Sequence, residues 1–444
     1  MWWDAGLPAG DDPVWEYPGR VVTRDELGEE VPWHERMLRA HGIRPGDTVA
    51  LSGEASFTQL WSVLALWSAG AQVMLLAPGL TVAERDAAIR VARPSFLITT
   101  GADRRPRGRF PDHCEVLVRR LPGGRRATGD CLAQFSSGTT GTPKLVGRTA
   151  ASLTAELARF AAAPGMPGRG ETVALLEPYT HSFGLIGGVL HALRAGAVVS
   201  FPADGSAAAR RAAVLGADVA LGNPEHYAEL VTGRERSKPR RLRAAFSSGD
   251  TLAPEVYTAF RRRYGVPIGQ AYGTTETGVL AADPRGTPDG RTVGAPLPGV
   301  AVRVAAGVLE VRTDGGWVST GDLVDAEPGT GVLRLRGRAG DPRTAGIDLV
   351  RVEGVLRDHD EVVDAVVLGV EPIEAHVVTR SALSQAELSS WCRRFVGDTA
   401  APRRYHFVRR LPRTSNGKVL RDRSRLLLPS VAAGRDGDER GPDL

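Results

Sequence analysis

The sequence predicts an α/β protein with a large N-terminal domain followed by a smaller α+β domain. Short, continuous apolar runs such as Ala71–Ala77 and Val219–Leu221 alternate with helix signals, a pattern typical of parallel sheets covered by helices on both faces. After Arg291 the pattern changes to short valine-rich strands separated by glycines, which indicates an antiparallel part. With 444 residues the chain exceeds one compact core, so at least two domains are expected.

The elements before residue 136 follow from capping residues and apolar runs. Ser56 with Gln59, and Thr81 with Glu84, form the Ser/Thr-x-x-Glu/Gln pattern of a capping box at a helix start. Residues 1–30 and the arginine-rich stretch 104–126 lack periodicity, so irregular structure is expected there. We expect helices at 33–41, 57–69 and from 82 onward, with strands at 48–51, 71–77, 96–99 and 131–135.

The alternation resumes in the second half of the chain. Strands are expected at 172–176, 197–201, 219–221, 242–246 and 266–270, with helices at 187–193, 207–215, 225–231 and 254–263. The antiparallel part has expected strands at 300–304, 309–312 and 332–336. The last unit has expected strands at 362–370, 374–379 and 404–408, and a helix capped by Ser384 and Glu387. Ligands of such sheets bind beyond the carboxyl ends of the strands.

Composition and charge exclude several functional classes. No apolar run is long enough to cross a bilayer, and the N-terminus lacks the basic start and apolar core of a signal peptide. The cysteines Cys114, Cys131 and Cys392 lie far apart and form neither a disulfide framework nor a metal motif. The net charge of +5 comes from scattered arginines without interleaved aromatic residues, so no nucleic-acid partner is expected. We therefore expect a cytoplasmic protein without a membrane span.

The segment Ala133–Lys144 has the clearest chemical character in the chain. Its glycines let backbone N–H groups approach an anion closely, and its hydroxyls add donors. The spacing differs from the P-loop pattern, because only two residues separate Gly138 from Gly141. Taken alone, such a segment is more often a mobile surface loop, and that alternative stays open. As a phosphate-binding loop it would use Ser136, Ser137, Gly138, Thr139, Thr140, Gly141, Thr142 and Lys144.

Lysine is rare in this chain. Of its 56 basic residues only Lys144, Lys238 and Lys418 are lysines. A compact ammonium that persists among so many arginines indicates a need for a point charge. Lys144 ends the phosphate-binding loop and Lys418 ends an Asn-Gly-Lys segment, whereas Lys238 has the sequence context of a surface loop. Lys144 and Lys418 are therefore candidate functional residues.

Motifs resembling those of a known family occur in the family's order along the chain. They are Phe135–Lys144, Tyr272-Gly-Thr-Thr-Glu276, Ser319-Thr-Gly-Asp322, Gly337-Arg338 with Asp341, and Asn416-Gly-Lys418. In this order they resemble the core motifs of the adenylate-forming superfamily, which comprises acyl-CoA synthetases, adenylation domains and luciferases. The resemblance implies an N-terminal domain of stacked, mostly parallel sheets with a small antiparallel barrel-like part at 1–337. It also implies a small mobile C-terminal domain at 338–430, and composition predicts a disordered tail at 431–444.

The resemblance implies that a carboxylic acid attacks the α-phosphorus of ATP and expels pyrophosphate. ATP and Mg²⁺ are then the cofactors, and cations and hydrogen-bond donors must stabilise the meeting of two anions. Glu276 resembles the Mg²⁺ ligand and Lys418 the mobile catalytic lysine; taken alone, they would be a surface carboxylate and a solvated loop lysine. Tyr272 would stack on adenine, while Asp322 and Arg338 would contact ribose. The other implied ATP-binding residues are Gly249, Asp250, Thr251, Gly273, Thr274 and Thr275.

The resemblance also locates the pocket for the acid. His181, a candidate catalytic residue, precedes Ser-Phe-Gly as in relatives where an aromatic residue or histidine gates the pocket, although a lone histidine is usually structural. Relatives that activate amino acids place an aspartate nearby, and this chain has no acid after His181 until Asp204. The expected substrate is therefore a non-amino aryl or acyl acid. The implied pocket residues are His181, Ser182, Phe183, Gly184, Gly269, Ala271 and Gly278.

The acceptor of the activated acyl group is less closely defined. The resemblance implies a thiol, either of coenzyme A or of a phosphopantetheine on an acyl carrier protein. Gly340 stands where relatives commonly have an acid, and Ile347 replaces the second glycine of a turn that lines the thiol tunnel. An amine or another nitrogen acceptor is the alternative. A non-enzymatic nucleotide-binding scaffold is disfavoured, because Lys418, Glu276 and Asp322 are all present.

Overall fold

The structure is a computed structural model. It describes residues 2–3, 10–78, 80–101, 112–136, 144–232, 238–288, 290–313, 315–339, 347, 349–369, 372–413 and 419–427. The chain divides into two compact units, and the described residues up to Ala339 form the first while those from Ile347 onward form the second. Arg338 thus belongs to the first unit, and the roles assigned to the two domains stay predictions.

The first unit contains three sheets. Their strands are β1 (Pro13–Tyr17), β2 (Arg20–Thr23), β3 (Thr48–Gly53), β4 (Gln72–Leu75), β5 (Phe96–Thr100), β6 (Val116–Arg120), β7 (Asp130–Ser136), β8 (Lys144–Thr149), β9 (Thr172–Leu175), β10 (Val198–Ser200), β11 (Val219–Gly222), β12 (Ala244–Ser247), β13 (Ile268–Thr274), β14 (Gly278–Asp283), β15 (Thr292–Gly294), β16 (Val302–Ala305), β17 (Val308–Thr313), β18 (Gly316–Ala326) and β19 (Leu333–Arg338).

The helices of the first unit mostly begin at side-chain caps. Ser56 and Thr81 accept hydrogen bonds from the N–H groups of Gln59 and Glu84, and Glu84 completes a capping box. The helices are α1 (Arg24–Ala40), α2 (Phe57–Ser68), α3 (Val82–Ala92), α4 (Ala150–Ala162), a π-helix (Phe183–Leu190), α5 (His191–Ala195), α6 (Ala207–Gly216), α7 (Pro224–Val231) and α8 (Pro254–Tyr264).

Two mostly parallel sheets form the framework of the first unit. One has eight strands in the order β14-β13-β12-β11-β9-β10-β1-β2, and the other has six in the order β6-β5-β3-β4-β7-β8. In each sheet the inner pairs are parallel and the pair at either edge is antiparallel. The largest core cluster contains residues of both sheets together with α2, whose residues from Phe57 to Trp67 are all buried. The predicted stacked α/β architecture is therefore confirmed.

A third sheet of the first unit is antiparallel. Its order is β15-β19-β18-β17-β16, and its apolar residues form a separate cluster that includes Tyr272 of β13. The long strand β18 pairs with both β17 and β19. Asp322 and Arg338 lie on β18 and β19 of this sheet, and its packing against Tyr272 brings it next to the carboxyl end of β13 in the eight-stranded sheet.

The second unit is a small α+β structure. It contains α9 (Leu349–Arg357), β20 (Val362–Leu368), β21 (Glu374–Thr379), α10 (Gln385–Ala400), β22 (Arg404–Phe407) and α11 (Arg423–Leu426). Its sheet has the order β20-β21-β22, with β20 antiparallel and β22 parallel to β21. Ser384 and Glu387 form the predicted capping box of α10. The predicted tail at 431–444 lies outside the described residues.

Several sequence-based expectations for local structure were wrong. Residues 13–23 form β1 and β2 at a sheet edge, although irregular structure was expected there. The arginine-rich stretch 104–126 contains β6, which pairs with β5. The edge strands β2 and β6 have one unpaired side and are mostly half buried or exposed, so they lack the continuous apolar run that marks an inner strand. Neither β8 nor α4, which follow the candidate phosphate loop, was expected.

Candidate active site

Three residues that the sequence predicts at the nucleotide meet in the structure. The hydroxyl of Tyr272, on β13, donates to Asp322 Oδ2 at 2.7 Å. Asp322 and Arg338 are cross-strand partners on β18 and β19, and Arg338 Nε lies 3.2 Å from Asp322 Oδ1. The two strands and the end of β13 therefore hold an aromatic ring, a carboxylate and a guanidinium side by side.

Tyr272 is a hydrogen-bond donor to Asp322 in this cluster. Burial first, and then the nearby Asp322 carboxylate, raise the pKa of Tyr272, so its hydroxyl remains a donor near neutral pH. The Asp322 side chain is 14% exposed, and each of its oxygens has a second lone pair beyond the bond to Tyr272 or Arg338. Asp322 can thus accept further hydrogen bonds from a pair of hydroxyl groups, as ribose would offer. Its role as a ribose ligand stays a prediction.

Thr275 and Glu276 lie in the turn that joins β13 to β14. The hydroxyl oxygens of Thr274 and Thr277 are 2.9 Å apart, and the N–H of Thr277 donates to Thr274 Oγ1 at 3.3 Å. Gly273 and Glu276 are exposed. An exposed carboxylate is a hard oxygen ligand of the kind that Mg²⁺ prefers, so the donor chemistry of Glu276 fits the predicted metal role.

The candidate phosphate loop is framed by a β-hairpin. Ser136, the last residue of β7, is the register partner of Lys144, the first residue of β8. Lys144 is exposed, so its ammonium is accessible at the end of the hairpin. The predicted loop residues between them lie outside the described residues: Ser137, Gly138, Thr139, Thr140, Gly141 and Thr142.

The loop after β12 carries the other residues predicted near the base. Gly249 has φ of +94°, a left-handed backbone conformation that glycine adopts readily. Asp250 is exposed, and one of its carboxylate oxygens accepts from the N–H of Thr251 at 2.8 Å. The loop begins at Ser248, whose N–H donates to the carbonyl oxygen of Gly222 at 3.1 Å. These residues follow β12 at the carboxyl edge of the sheet, the expected location for ligand binding.

The segment His181–Phe183 leads into the π-helix. The hydroxyl of Ser182 donates to Gln134 Oε1 at 2.7 Å, which joins this segment to the strand that leads to the candidate phosphate loop. Burial lowers the pKa of His181 to about 4, so its ring is neutral near pH 7, and its buried Nε2 has no hydrogen-bond partner among the described residues. The ring of Phe183 packs 6.3 Å from that of Phe160. Contact of His181 with a substrate stays a prediction.

The small residues predicted to line the pocket are Gly184, Gly269, Ala271 and Gly278. For the glycines, the structure gives a further reason for the absence of a side chain. A Cβ at Gly184 would meet the carbonyl oxygen of Pro178 at 2.3 Å, and a Cβ at Gly278 would meet the Glu156 carboxylate at the same distance. A Cβ at Gly269 would also meet backbone, and Ala271 is buried. Close packing thus requires these glycines whether or not they line a pocket.

Sequence reasoning missed Glu177, a buried acid at the carboxyl end of β9. It is 7% exposed, and burial raises its pKa to about 8 although the Asn223 side chain lowers it by a hydrogen bond. His226 Nδ1 lies 3.7 Å from Glu177 Oε2, but that nitrogen accepts the N–H of Asn223, and burial lowers the pKa of His226 to about 3. Both side chains are therefore neutral near pH 7. An acid directly after the apolar run 172–176 was the available signal.

Sequence reasoning also missed a buried charged group behind the turn of Glu276. Arg148 on β8 and Glu156 on α4 form an ion pair at 2.8 Å, and their side chains are 4% and 3% exposed. Neither residue belongs to a motif, so no sequence signal marked them. Lys418, the predicted catalytic lysine, lies outside the described residues.

The second unit contains a group that resembles a metal site in composition. Ligand atoms of Glu374, His376 and His406 lie within 4.8 Å of one another. However, Arg423 and Arg404 donate to the Glu374 carboxylate at 2.7–3.2 Å, and the two imidazole rings stack at 4.6 Å with an interplanar angle of 20°. The Glu374 carboxylate is therefore already paired with two guanidinium groups, and the group forms an ion-pair cluster around a buried acid.

The fold agrees with the family assignment that sequence comparison gives. Residues 4–316 match the family described as AMP-binding enzyme, and residues 351–418 match the AMP-binding enzyme C-terminal domain. The chain therefore belongs to the AMP-binding enzyme family, and the predicted resemblance is confirmed. No helix in the described part of the chain is both long and apolar enough to cross a membrane.

Individual relatives are similar to this chain over most of its length. The p-hydroxybenzoic acid–AMP ligase FadD22 of Mycobacterium tuberculosis is 27% identical over 93% of the chain, which spans 66% of that relative. Feruloyl-CoA synthase of Amycolatopsis is 27% identical over 91% of the chain and 93% of its own length. Among solved structures, ATP-bound MatB from Rhodopseudomonas palustris has a TM-score of 0.82 at 21% identity, covering 96% of this chain and 98% of that one. This last likeness concerns the fold alone.

Proposed function

We propose that this protein activates a non-amino carboxylic acid with ATP to an acyl-adenylate, releases pyrophosphate, and passes the acyl group to a thiol. The observation that carries the proposal is the Tyr272–Asp322–Arg338 cluster in a chain of the AMP-binding enzyme family. A ring, a diol acceptor and a cation at the carboxyl edge of a mostly parallel sheet suit a nucleoside phosphate.

Each part of the site has a task in bringing two anions together. Tyr272 stacks on the base, and Asp322 accepts the ribose hydroxyls. Lys144 at the end of the β7–β8 hairpin supplies charge for the β- and γ-phosphates. Glu276 would hold Mg²⁺, whose charge would offset that of the triphosphate. Lys418 bridges the attacking carboxylate and the α-phosphate in the transition state, where the charge that develops needs a cation.

We infer that the acid is an aryl acid or a related acyl group without an α-ammonium. The two named relatives act, according to their names, on p-hydroxybenzoic acid and in feruloyl-CoA synthesis, and each covers more than nine-tenths of the chain. Relatives that activate amino acids place an aspartate near His181, whereas this chain has no acid after His181 until Asp204. The absence of a carboxylate there to pair with an α-ammonium argues against an amino acid.

The proposed acceptor is coenzyme A or a carrier-protein phosphopantetheine. Feruloyl-CoA synthase is similar over nearly the whole chain, and this supports coenzyme A. Product analysis by mass spectrometry, with the acyl-adenylate offered coenzyme A, a phosphopantetheinylated carrier protein or a simple amine, separates these acceptors from the nitrogen alternative. Exclusive amide formation would contradict the thiol proposal while leaving the adenylation proposal intact.

The variant Lys418→Ala tests the adenylation chemistry. We expect acid-dependent pyrophosphate exchange to slow by roughly 100-fold or more, because a transition-state cation is lost, while the affinity for ATP stays nearly unchanged. Lys238→Ala is the matched control, since Lys238 is exposed and has no assigned role. Near-normal exchange in Lys418→Ala, or an equal loss in both variants, would contradict the proposal.

A further inference from the structure

The turn that carries Glu276 is held from behind by two guanidinium groups. Arg148 Nη1 donates to the carbonyl oxygen of Thr275 at 3.2 Å, and Arg159 Nη2 donates to the carbonyl oxygen of Thr277 at 3.1 Å. Arg148 comes from β8 and Arg159 from α4, more than a hundred residues before the turn. The backbone on either side of Glu276 is thus fixed by side chains of other elements.

Arg148 is itself held in one orientation. Its Nη2 donates to Glu156 Oε2 at 2.8 Å and its Nε donates to Ser152 Oγ at 3.2 Å. The other Glu156 oxygen accepts the N–H of Val279 at 2.9 Å, on the far side of the same turn. Removing one member of a buried ion pair leaves an uncompensated charge, so this arrangement resists rearrangement.

The close approach of Glu156 to the turn requires a glycine. Gly278 has φ of +70°, and a Cβ there would lie 2.3 Å from the Glu156 carboxylate. The glycine therefore permits the Glu156 carboxylate of α4 to reach the N–H of Val279 on β14, and the two elements are in close contact at this point.

Because a peptide unit is planar, fixing the carbonyl of Thr275 also fixes the direction of the N–H of Glu276. In a planar trans peptide the C=O and N–H bonds point in opposite directions. Because Arg148 fixes the carbonyl of Thr275, the N–H of Glu276 in the same peptide points away from Arg148. A carbonyl bound to a cation is also polarised, which strengthens its N–H as a donor. With Arg148, Arg159 and Glu156 ionised, the group behind the turn has a net charge of +1.

We propose that Arg148, held by Glu156, is a positioning residue that aims the N–H of Glu276 at an anionic group of the nucleotide, the α-phosphate. The inference rests on the proposed function and adds a role for residues outside every motif. Arg148 does not touch the nucleotide; it acts through the peptide bond between Thr275 and Glu276. Its loss should therefore weaken recognition of phosphate and leave recognition of adenosine unchanged.

The test compares the affinities of the purified full-length protein for AMP and for adenosine by isothermal titration calorimetry. In Arg148→Met we expect the dissociation constant for AMP to rise at least about 10-fold, the scale of a lost hydrogen bond to a charged group, with adenosine changed less than about twofold. Arg148→Lys keeps a cation but lacks the planar fork, so it should recover part of the affinity for AMP. Arg169→Met is the control, because Arg169 is 72% exposed.

A double variant keeps the test valid if Arg148→Met folds poorly. Arg148→Met with Glu156→Gln removes both members of the buried ion pair together, and the glutamine oxygen can still accept the N–H of Val279. The same selective loss of AMP affinity is expected. An unchanged AMP affinity, or an equal loss of AMP and adenosine, would overturn the positioning role while leaving the proposed function standing. A wild-type protein that binds neither ligand would instead reject the proposed function and this inference together.

Discussion

Replacing Glu177 by glutamine should stabilise the protein, and the gain should grow with pH. Glu177 is buried beside Asn223 and His226, and burial raises its pKa from 4.5 to about 8. In the unfolded chain the carboxyl ionises near its ordinary pKa, whereas in the folded protein it keeps its proton up to about pH 8. The unfolding free energy is therefore not reduced by this carboxyl below pH 4.5. It falls progressively as the pH rises from 4.5 through about 8. A glutamine of the same shape does not titrate.

The magnitude follows from the difference between the two pKa values. One pKa unit corresponds to about 1.4 kcal/mol, so the penalty of Glu177 is about 3 kcal/mol at pH 7 and about 5 kcal/mol above pH 8. Glu177→Gln should therefore exceed the wild type in unfolding free energy by roughly these amounts, and by nearly nothing at pH 4.5. Neighbouring His181, His226, Tyr227 and Arg210 are present in both proteins, so their own titration largely cancels in the difference.

The assay is urea unfolding followed by tryptophan fluorescence at pH 5, 7 and 8.5, with wild type and variant measured side by side. Glu29→Gln is the control, because Glu29 is exposed on α1 beyond its first turn, and we expect its difference from wild type to change far less with pH than that of Glu177→Gln. A difference between Glu177→Gln and wild type that stays constant with pH, or a variant less stable at pH 8.5, would refute the reasoning. A confirmed gain would mean that the chain retains a destabilising acid beside the pocket candidates, as functional sites often do.

Two further predictions concern other buried groups. Asp322→Asn keeps the size of the side chain but removes the charge that Tyr272 and Arg338 face. The KM for ATP should therefore rise about 10-fold in a pyrophosphate-release assay, with the KM for the acid unchanged. A rise below twofold would argue against the ribose role. Burial lowers the pKa of His191 to about 4, so its contribution to stability is lost as the pH falls from 6.5 towards 4. His191→Gln can still donate to the Pro167 carbonyl, and between pH 7 and 5 its unfolding free energy should fall by about 2 kcal/mol less than that of wild type in urea unfolding. An equal fall in both proteins would contradict this prediction.

The inner strands of the fold were predictable because burial on both faces leaves a clear trace in sequence. The runs that predicted β3, β9 and β11 are apolar apart from the opening threonines of β3 and β9, and all four residues of β11 are buried. The edge strand β6 has the opposite character, since its residues are half buried or exposed and Leu117 is 67% exposed. An edge strand is defined by its partner more than by its own residues. No local pattern could therefore separate β6 from an arginine-rich loop.

The candidate site divides along the same line. Residues proposed to contact a ligand by their own chemistry, such as Asp322 and Glu276, stand in motifs that local sequence reveals. Residues that position them do not, because Arg148 reaches Thr275 across 127 residues of chain and Glu156 reaches Val279 across 123. Their partners are backbone groups, which any sequence provides. A positioning residue therefore becomes visible only when the fold has brought the two segments together.

Gly278 shows why a motif residue can carry two requirements at once. The sequence offers it as a small pocket wall, whereas the structure shows that a Cβ there would collide with Glu156 and that φ is +70°. Gly278→Ala would meet both the left-handed backbone cost of about 1 kcal/mol or more and the displacement of a buried carboxylate from Arg148. The pocket-wall role predicts that only a bulky acid is rejected by this variant. The packing role predicts instead that Gly278→Ala has a lower affinity for AMP whichever acid is the substrate, because the peptide between Thr275 and Glu276 that Arg148 holds would move.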